Sequence, residues 1–267
     1  MTQRARPTIE RIAGLAVYRK RVGSDRPEST VVFVHGSMDR AASFVNVVRR
    51  LGDVDTIRYD RRGYGRSLGA GVAMTIDEHV NDLATVIDGQ PCVVIGHSFG
   101  GVVALAAAAK RAAPIVAVGS FEAPMPWSDW WPRRSAGRLA MQAGPQEAAA
   151  AECFMRRMIG DEHWERLPES TRRQRRAEGR ALVAELRQLE ESVPPFDLIA
   201  IEVPIVSGYG SASFGYHRRA SEEVAKIARR GELVVINGAA HRAHASHPDD
   251  FAKFVRRTVL ASRVKRS

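Results

Sequence analysis

The five residues Gly96-His97-Ser98-Phe99-Gly100 constrain this chain more than any others. They form a G-x-S-x-G, preceded directly by an apolar, β-branched run at 91–95 and followed directly by a small-residue helical run at 100–110. A turn this tight between a strand and a helix forces its central serine into strained backbone angles. The residues two positions away on either side must lack a Cβ so that the two backbones can approach. The strain lifts the serine Oγ clear of the sheet, and the start of the helix lends it a positive field. Ser98 is therefore the expected nucleophile; the competing reading is a purely structural turn.

The same alternation extends along the chain. Short strand-like runs at 31–34, 56–60, 91–95 and 115–119 alternate with helical patterns. Phe44, Val47, Val48 and Leu51 recur at helical spacing. Thr75, with Glu78 three residues on, has the look of a capping box opening a helix that runs to about 88. This rhythm predicts βαβ units and a parallel sheet. It stops between about 124 and 198, where several helices are expected, opened by Trp127, Trp130 and Trp131 and closed at Val193-Pro194-Pro195. It resumes with a strand at 203–207, a helix around 218–230, a strand at 233–236 and a last helix at about 248–260. Residues 9–18 are expected to add one or two antiparallel edge strands. The predicted fold is α/β: a mostly parallel central sheet flanked by helices, built from 1–123 and 199–267, with a helical insertion at 124–198.

Composition matters through charge. A formal +10 on 267 residues invites a nucleic-acid reading. The excess is arginine, 35 against 5 lysines, scattered along the chain. Arginine with abundant alanine is what a GC-rich coding bias produces, and net charge speaks to solubility and weak association. Because the sheet domain and insertion account for the whole chain, no nucleic-acid partner is expected. No run approaches the ~18 consecutive apolar residues of a membrane span, and 1–7 is polar and basic, so a cytoplasmic location and no stable membrane insertion are expected. Cys92 and Cys153 cannot make a disulfide framework, and no His/Cys spacing suggests a metal.

Four pieces in order along the chain resemble the α/β-hydrolase fold: Val34-His35-Gly36-Ser37, the loop Asp60-Arg61-Arg62-Gly63-Tyr64-Gly65-Arg66-Ser67, the Ser98 turn, and Ala240-His241 after the last strand. The resemblance covers nearly all of the chain. It implies that 124–198 is a cap and that His241 is the general base, although Ala240 stands where a glycine is usual. It also implies an oxyanion hole from the backbone N–H groups of Ser37, with Met38 as second choice, and of Phe99. His244 and His247 are read as wall or helix-cap residues and His97 as packed beside the turn, with Met38, His97, Trp127 and Trp130 as candidates for contact with substrate. Asp60 is read as structural.

The acid departs from the family's pattern. It normally follows the strand read here at 203–207, yet Gly208 to Phe214 contains no Asp or Glu, and Ser211 stands at the usual position. Glu122, after the preceding strand, is the expected substitute, as in the haloalkane dehalogenases. A Ser–His dyad, or Asp129 from the insertion, are the alternatives. The expected function is serine hydrolysis of a carboxylic ester, thioester or lactone with an apolar acyl part, without a cofactor. Perhydrolase, C–C bond hydrolase and acyltransferase chemistry remain open, as does a ligand-binding protein without turnover, and the sequence leaves the oligomeric state open.

Overall fold

The computed structural model describes residues 8–22, 30–144, 146–191 and 193–263. The sheet strands in chain order are β1 (Thr8–Ile12), β2 (Leu15–Lys20), β3 (Thr30–Val34), β4 (Thr56–Tyr59), β5 (Cys92–His97), β6 (Ile115–Phe121), β7 (Ile205–Gly210) and β8 (Gly231–Ile236). The helices are α1 (Val45–Arg50), α2 (Ile76–Ile87), α3 (Phe99–Ala109), α4 (Ala136–Met141), α5 (Glu147–Ile159), α6 (Asp161–Arg166), α7 (Glu169–Ala177), α8 (Gly179–Leu189), α9 (Gly215–Ile227), α10 (Ala243–Ser246) and α11 (Pro248–Arg263).

The eight strands lie in the order β1-β2-β4-β3-β5-β6-β7-β8. β2 pairs antiparallel with both β1 and β4, and every pair from β4 to β8 is parallel. Strand periodicity splits the core into two layers. Val32 and Val34 of β3 face a cluster with α2, α3 and α9, while Val31 and Phe33 face a second cluster with α1 and α11. The chain runs from β3 out to β4 and back across to β5, so β3 and β5 meet at a switch point, where open α/β sheets hold their ligands.

Two boundaries differ from the sequence expectation. β7 runs three residues past 207, through Gly208 and Gly210, which read as turn residues in sequence. The glycines are there for packing: a Cβ on Gly208 would lie 3.0 Å from both the Phe121 and Phe254 rings, and one on Gly210 only 2.2 Å from the Ala239 carbonyl oxygen. The helix expected around 218 begins at Gly215, which puts His217 on its first turn.

Between β6 and β7 the described residues form helices only, α4 to α8. They build their own cluster around Trp164, which is fully buried, with Leu182 and Leu186 of α8 and with Met38 and Tyr64 from the loops after β3 and β4. Two buried carboxylates of this insertion also reach those loops: Glu178 takes hydrogen bonds from Arg40 and the Gly65 N–H, and Glu185 from Arg61, Tyr64 and Ser37.

Asp60, read from sequence as structural, is buried beside these loops. Its two carboxylate oxygens accept the Ala41 and Arg66 N–H groups, each at 2.9 Å.

The contact between α3 and the sheet is the tightest of these. A Cβ on Gly100 would lie 2.1 Å from the Val34 carbonyl oxygen, and one on Gly96 2.2 Å from the Gly100 carbonyl oxygen. Backbone cannot yield as a side chain does, so Gly100→Ala should destabilise the chain by about 2 kcal/mol or more. Urea melts of the two proteins check this, and an unchanged midpoint would contradict the close approach.

Candidate active site

Ser98 is the first residue past β5, with φ 53° and ψ −126°. Glu122 is the first residue past the neighbouring β6, with φ 50°. Both are left-handed without being glycine, a conformation worth about 1–3 kcal/mol of strain that persists only when surroundings over-determine it. Here the sheet ladder does so. Ser98 N–H donates to the Phe121 carbonyl at 2.9 Å, and Glu122 N–H donates to the Gly208 carbonyl at 3.0 Å. The hydrogen bonds of the sheet thus run one residue beyond each strand and turn both side chains to the same crevice.

Glu122 is fully buried. Its Oε2 lies 2.6 Å from His241 Nδ1, while Oε1 accepts the Gly210 N–H at 2.8 Å and the Ser213 hydroxyl at 2.5 Å. Burial alone would push this carboxyl up. The bond and charge of His241 and the Gly210 N–H outweigh it and hold it below the usual carboxylate range. Ser211, at the position where the family usually carries its acid, instead accepts the Gly238 N–H at 2.8 Å and so ties the β7 end to the loop leading to His241.

Two cavities meet at Ser98 and His241. The smaller, about 150 Å³, is lined by Ser37, Met38, Asp39, His97 and Met158, with Arg175 and Arg242 among its polar residues. The larger, about 330 Å³, has an apolar wall of Pro124, Pro126, Trp131, Leu186 and Leu189, with His217 beside His241. Among the described residues Ser98 Oγ has no hydrogen bond to His241; such bonds commonly tighten only when substrate is bound. A wider cleft, about 810 Å³, opens at the opposite ends of the strands, around Thr30, Thr56 and Cys92, and no serine–histidine pair lines it.

Ser37 lines both cavities with Ser98. A Cβ on Gly36 would lie 2.9 Å from that of Ser98, so the loop after β3 presses directly on the turn. Met38 lines the smaller cavity and is itself left-handed, with φ 55°. Phe99 is the first residue of α3, where helix geometry leaves the N–H without an intrahelical acceptor. His97 is buried, and its Nε2 lies 2.8 Å from the His241 carbonyl oxygen, so it braces the His241 loop as well as touching the smaller cavity.

The tryptophans divide differently from expectation. Trp131 lines the larger cavity; Trp127 and Trp130 do not. Trp127 meets Phe196 edge-on at 5.7 Å, and the Arg219 guanidinium lies 4.6 Å from the Trp130 ring. Both rings are partly buried against the apolar cluster that α2, α3 and α9 share with the sheet. The alternative acid Asp129 lines neither cavity.

Sequence reasoning missed His217. It stacks on His241 with ring centroids 4.4 Å apart, and burial pushes its pKa down to about 3. The signal available was a histidine just after the β7 loop, obscured by starting the helix too late. Asp39 was also missed. It lies 3.2 Å from His244 Nε2, and although burial pushes its carboxyl up, the His244 contact holds it below its usual range. Two groups, Glu122 with His217 and His241, and Asp39 with His97 and His244, each bring three potential ligand atoms within 4.8 Å of one another. In the first, Glu122 and His241 are already committed to each other.

Among known proteins, a sequence profile described as alpha/beta hydrolase family matches residues 31–254. The chain is similar to Lipase LipV of Mycobacterium tuberculosis, 35% identical over 102 residues that cover 37% of this chain and 38% of that protein. It is also similar to a monoacylglycerol lipase of Mycolicibacterium smegmatis, 33% identical over 94 residues, 32% of this chain and 34% of that one. The matched stretches thus span little more than a third of the length of these relatives. Among solved structures, the enol-lactonase from Burkholderia xenovorans LB400 superposes with a TM-score of 0.70 at 21% identity, covering 95% of this chain and all of that one (100%). MenH from S. aureus superposes with a TM-score of 0.68 at 16% identity, covering 93% and 99%. No helix among the described residues is long and apolar enough to cross a membrane. With the profile spanning most of the sequence and the strand order, elbow and crevice as described, the chain belongs to the alpha/beta hydrolase family.

Proposed function

We propose that this chain hydrolyses a carboxylic ester, thioester or lactone with an apolar acyl part through an acyl-enzyme on Ser98. The observation that carries this reading is the 2.6 Å bond between the buried Glu122 carboxylate and His241, at cavities His241 shares with a strained serine. Ser98 Oγ attacks the carbonyl carbon while His241 takes its proton. The Ser37 and Phe99 N–H groups receive the developing oxyanion. The tetrahedral intermediate collapses, the leaving oxygen or sulfur takes the proton from His241, and the acyl group stays on Ser98. Water, deprotonated by His241, then attacks the acyl carbon, and Ser98 leaves with the proton.

Glu122 holds the His241 proton at Nδ1 and offsets the positive charge that forms on the ring. Its bond to His241 supplies what the acid-free loop after β7 lacks, which weakens the reading as a binding protein without turnover. The apolar wall of the larger cavity suits an acyl chain, and the helices from 124 to 198 act as the cap that carries it. The two mycobacterial relatives are described as lipases, in keeping with an ester substrate.

A fluorophosphonate probe should label the wild type and leave Ser98→Ala unlabelled. Glu122→Gln should lose at least about 10-fold in kcat on a nitrophenyl ester; a smaller loss removes Glu122 as the acid. Stability should also report His217. With its folded pKa near 3, below the ordinary value of about 6.5, the unfolded chain binds a proton between these pH values that the folded chain does not. Stability therefore falls with decreasing pH across that window, by up to about 1.4 kcal/mol per pH unit for this one group. His217→Phe should flatten that fall in melting temperature, and an unchanged slope would contradict the buried neutral state.

A further inference from the structure

Among the buried polar groups that the mechanism leaves unused, one is centred on Arg61 and Glu185. Arg61 is 1% exposed and Glu185, on α8 of the insertion, is also 1% exposed. Arg61 Nη1 donates to Glu185 Oε1 at 2.5 Å. Its Nη2 donates to the Gly36 carbonyl at 3.0 Å and its Nε to the His35 carbonyl at 2.8 Å. The Gly36 carbonyl also lies 2.8 Å from His35 Nδ1, and His35 Nε2 accepts the Arg61 backbone N–H at 2.8 Å, which leaves the His35 proton on Nδ1. Both acceptor positions of the Gly36 oxygen are therefore taken.

That oxygen belongs to the peptide unit whose other end is the Ser37 N–H. In a trans peptide the C=O and N–H point in opposite directions, and no cis bond occurs among the described residues. Fixing the Gly36 oxygen toward Arg61 turns the Ser37 N–H the other way, and Ser37 lines both cavities beside Ser98. Among the described residues this N–H has no acceptor. Glu185 holds the same residue a second time, since its Oε2 accepts the Ser37 hydroxyl at 2.5 Å. The Arg61 guanidinium also lies 4.8 Å from the ring of Phe99, the residue bearing the other proposed donor.

We infer that Arg61 and Glu185 are positioning residues for the oxyanion hole: Arg61 clamps and polarises the peptide that carries the Ser37 N–H, and Glu185 locks both Arg61 and Ser37 from the insertion. A cation on the carbonyl end of an amide strengthens its N–H as a donor. The insertion thereby does more than shape a pocket; α8 completes the donor geometry. This role rests on the reading of Ser37 N–H as an oxyanion donor, and neither side chain touches the reacting atoms.

The test compares Glu185→Gln and Ser37→Ala with the wild type on a nitrophenyl ester and on a matching alkyl trifluoromethyl ketone. The ketone accepts Ser98 Oγ at its carbonyl carbon, and its oxygen becomes the alkoxide that the hole must hold. Glu185→Gln should lower kcat by about 10- to 100-fold and raise the ketone Ki in proportion, with KM within about threefold. Ser37→Ala, which keeps the N–H and every buried charge, should show the same pattern at about 3- to 10-fold. Should Glu185→Gln melt below the assay temperature, Arg61→Met/Glu185→Leu, which leaves no buried charge unpaired, is read in its place. Folded variants with wild-type kcat and Ki overturn the positioning role, as does a loss confined to KM. If the wild type binds the ketone only when Ser98 is present and the variants bind it equally well, only this role falls. If Ser98→Ala keeps its activity and the wild type ignores the ketone, the serine-hydrolase reading falls and takes this role with it.

Discussion

Two backbone hydrogen bonds hold the site in place: Ser98 N–H to Phe121 and Glu122 N–H to Gly208. Each continues a parallel ladder one residue beyond the strand end, so that β5, β6 and β7 jointly dictate where the two side chains leave the sheet. Without these bonds the left-handed angles at Ser98 and Glu122 would relax, because each costs about 1–3 kcal/mol. The close approach of Gly96 and Gly100 supports the same arrangement from the helix side, since α3 can start at Phe99 only if its backbone touches that of β3. A strained serine and a carboxylate on adjacent strand ends are thus a consequence of sheet geometry.

The electrostatics of the crevice follow from burial. His35, His97 and His217 are all buried, and desolvation pushes each far down from the ordinary imidazole value; His35 and His97 add hydrogen bonds and His217 adds stacking, all without adding charge. His241 differs from these three in being partly exposed to the cavities and in having a carboxylate at 2.6 Å. Glu122 in turn has its remaining oxygen filled by Gly210 and Ser213, so its negative charge is oriented at one target. Stacking by His217 and the His97 contact to the His241 carbonyl confine the His241 loop further.

Local chemistry was legible in sequence where it followed from short spacing. The elbow, the capping box at Thr75 and Glu78, the edge strands and the strand-helix rhythm all depend on neighbours within a few residues, and the structure has them. The Glu122–His241 contact was legible for a different reason: the loop after β7 lacks a carboxylate, and the end of the adjacent strand supplies the next one in reach. The extent of β7 was not legible, because Gly208 and Gly210 read as breakers while their cause is contact with Phe121, Phe254 and Ala239, all distant in sequence. Glu185 was missed for the same reason, since its partners Arg61 and Ser37 lie 124 and 148 residues away. A signal did exist: Glu185 falls among Ala181, Leu182, Leu186 and Leu189 on the buried stripe of α8, where a charge is expensive without a partner.

The arginine excess resolves into the same logic. Arginines of the helices between β6 and β7 bond to acids of their own or a neighbouring helix: Arg156 to Glu152, Arg172 to Glu165 and Glu169, Arg176 to Glu152 and Glu169. Exposed pairs of this kind contribute about 0–1 kcal/mol each, so they hold the helices loosely. The buried bonds behave differently. An ion pair such as Arg61–Glu185 gains little net stability over well-packed apolar groups, because desolvation consumes most of the attraction. What it does impose is direction: a carboxylate that must meet a guanidinium, a phenol and a hydroxyl at once admits one placement of α8 against the loops after β3 and β4. Leucines in the same cluster tolerate sliding far better. Apolar packing around Trp164 gives the insertion its cohesion, and the two buried glutamates give it its register over the crevice.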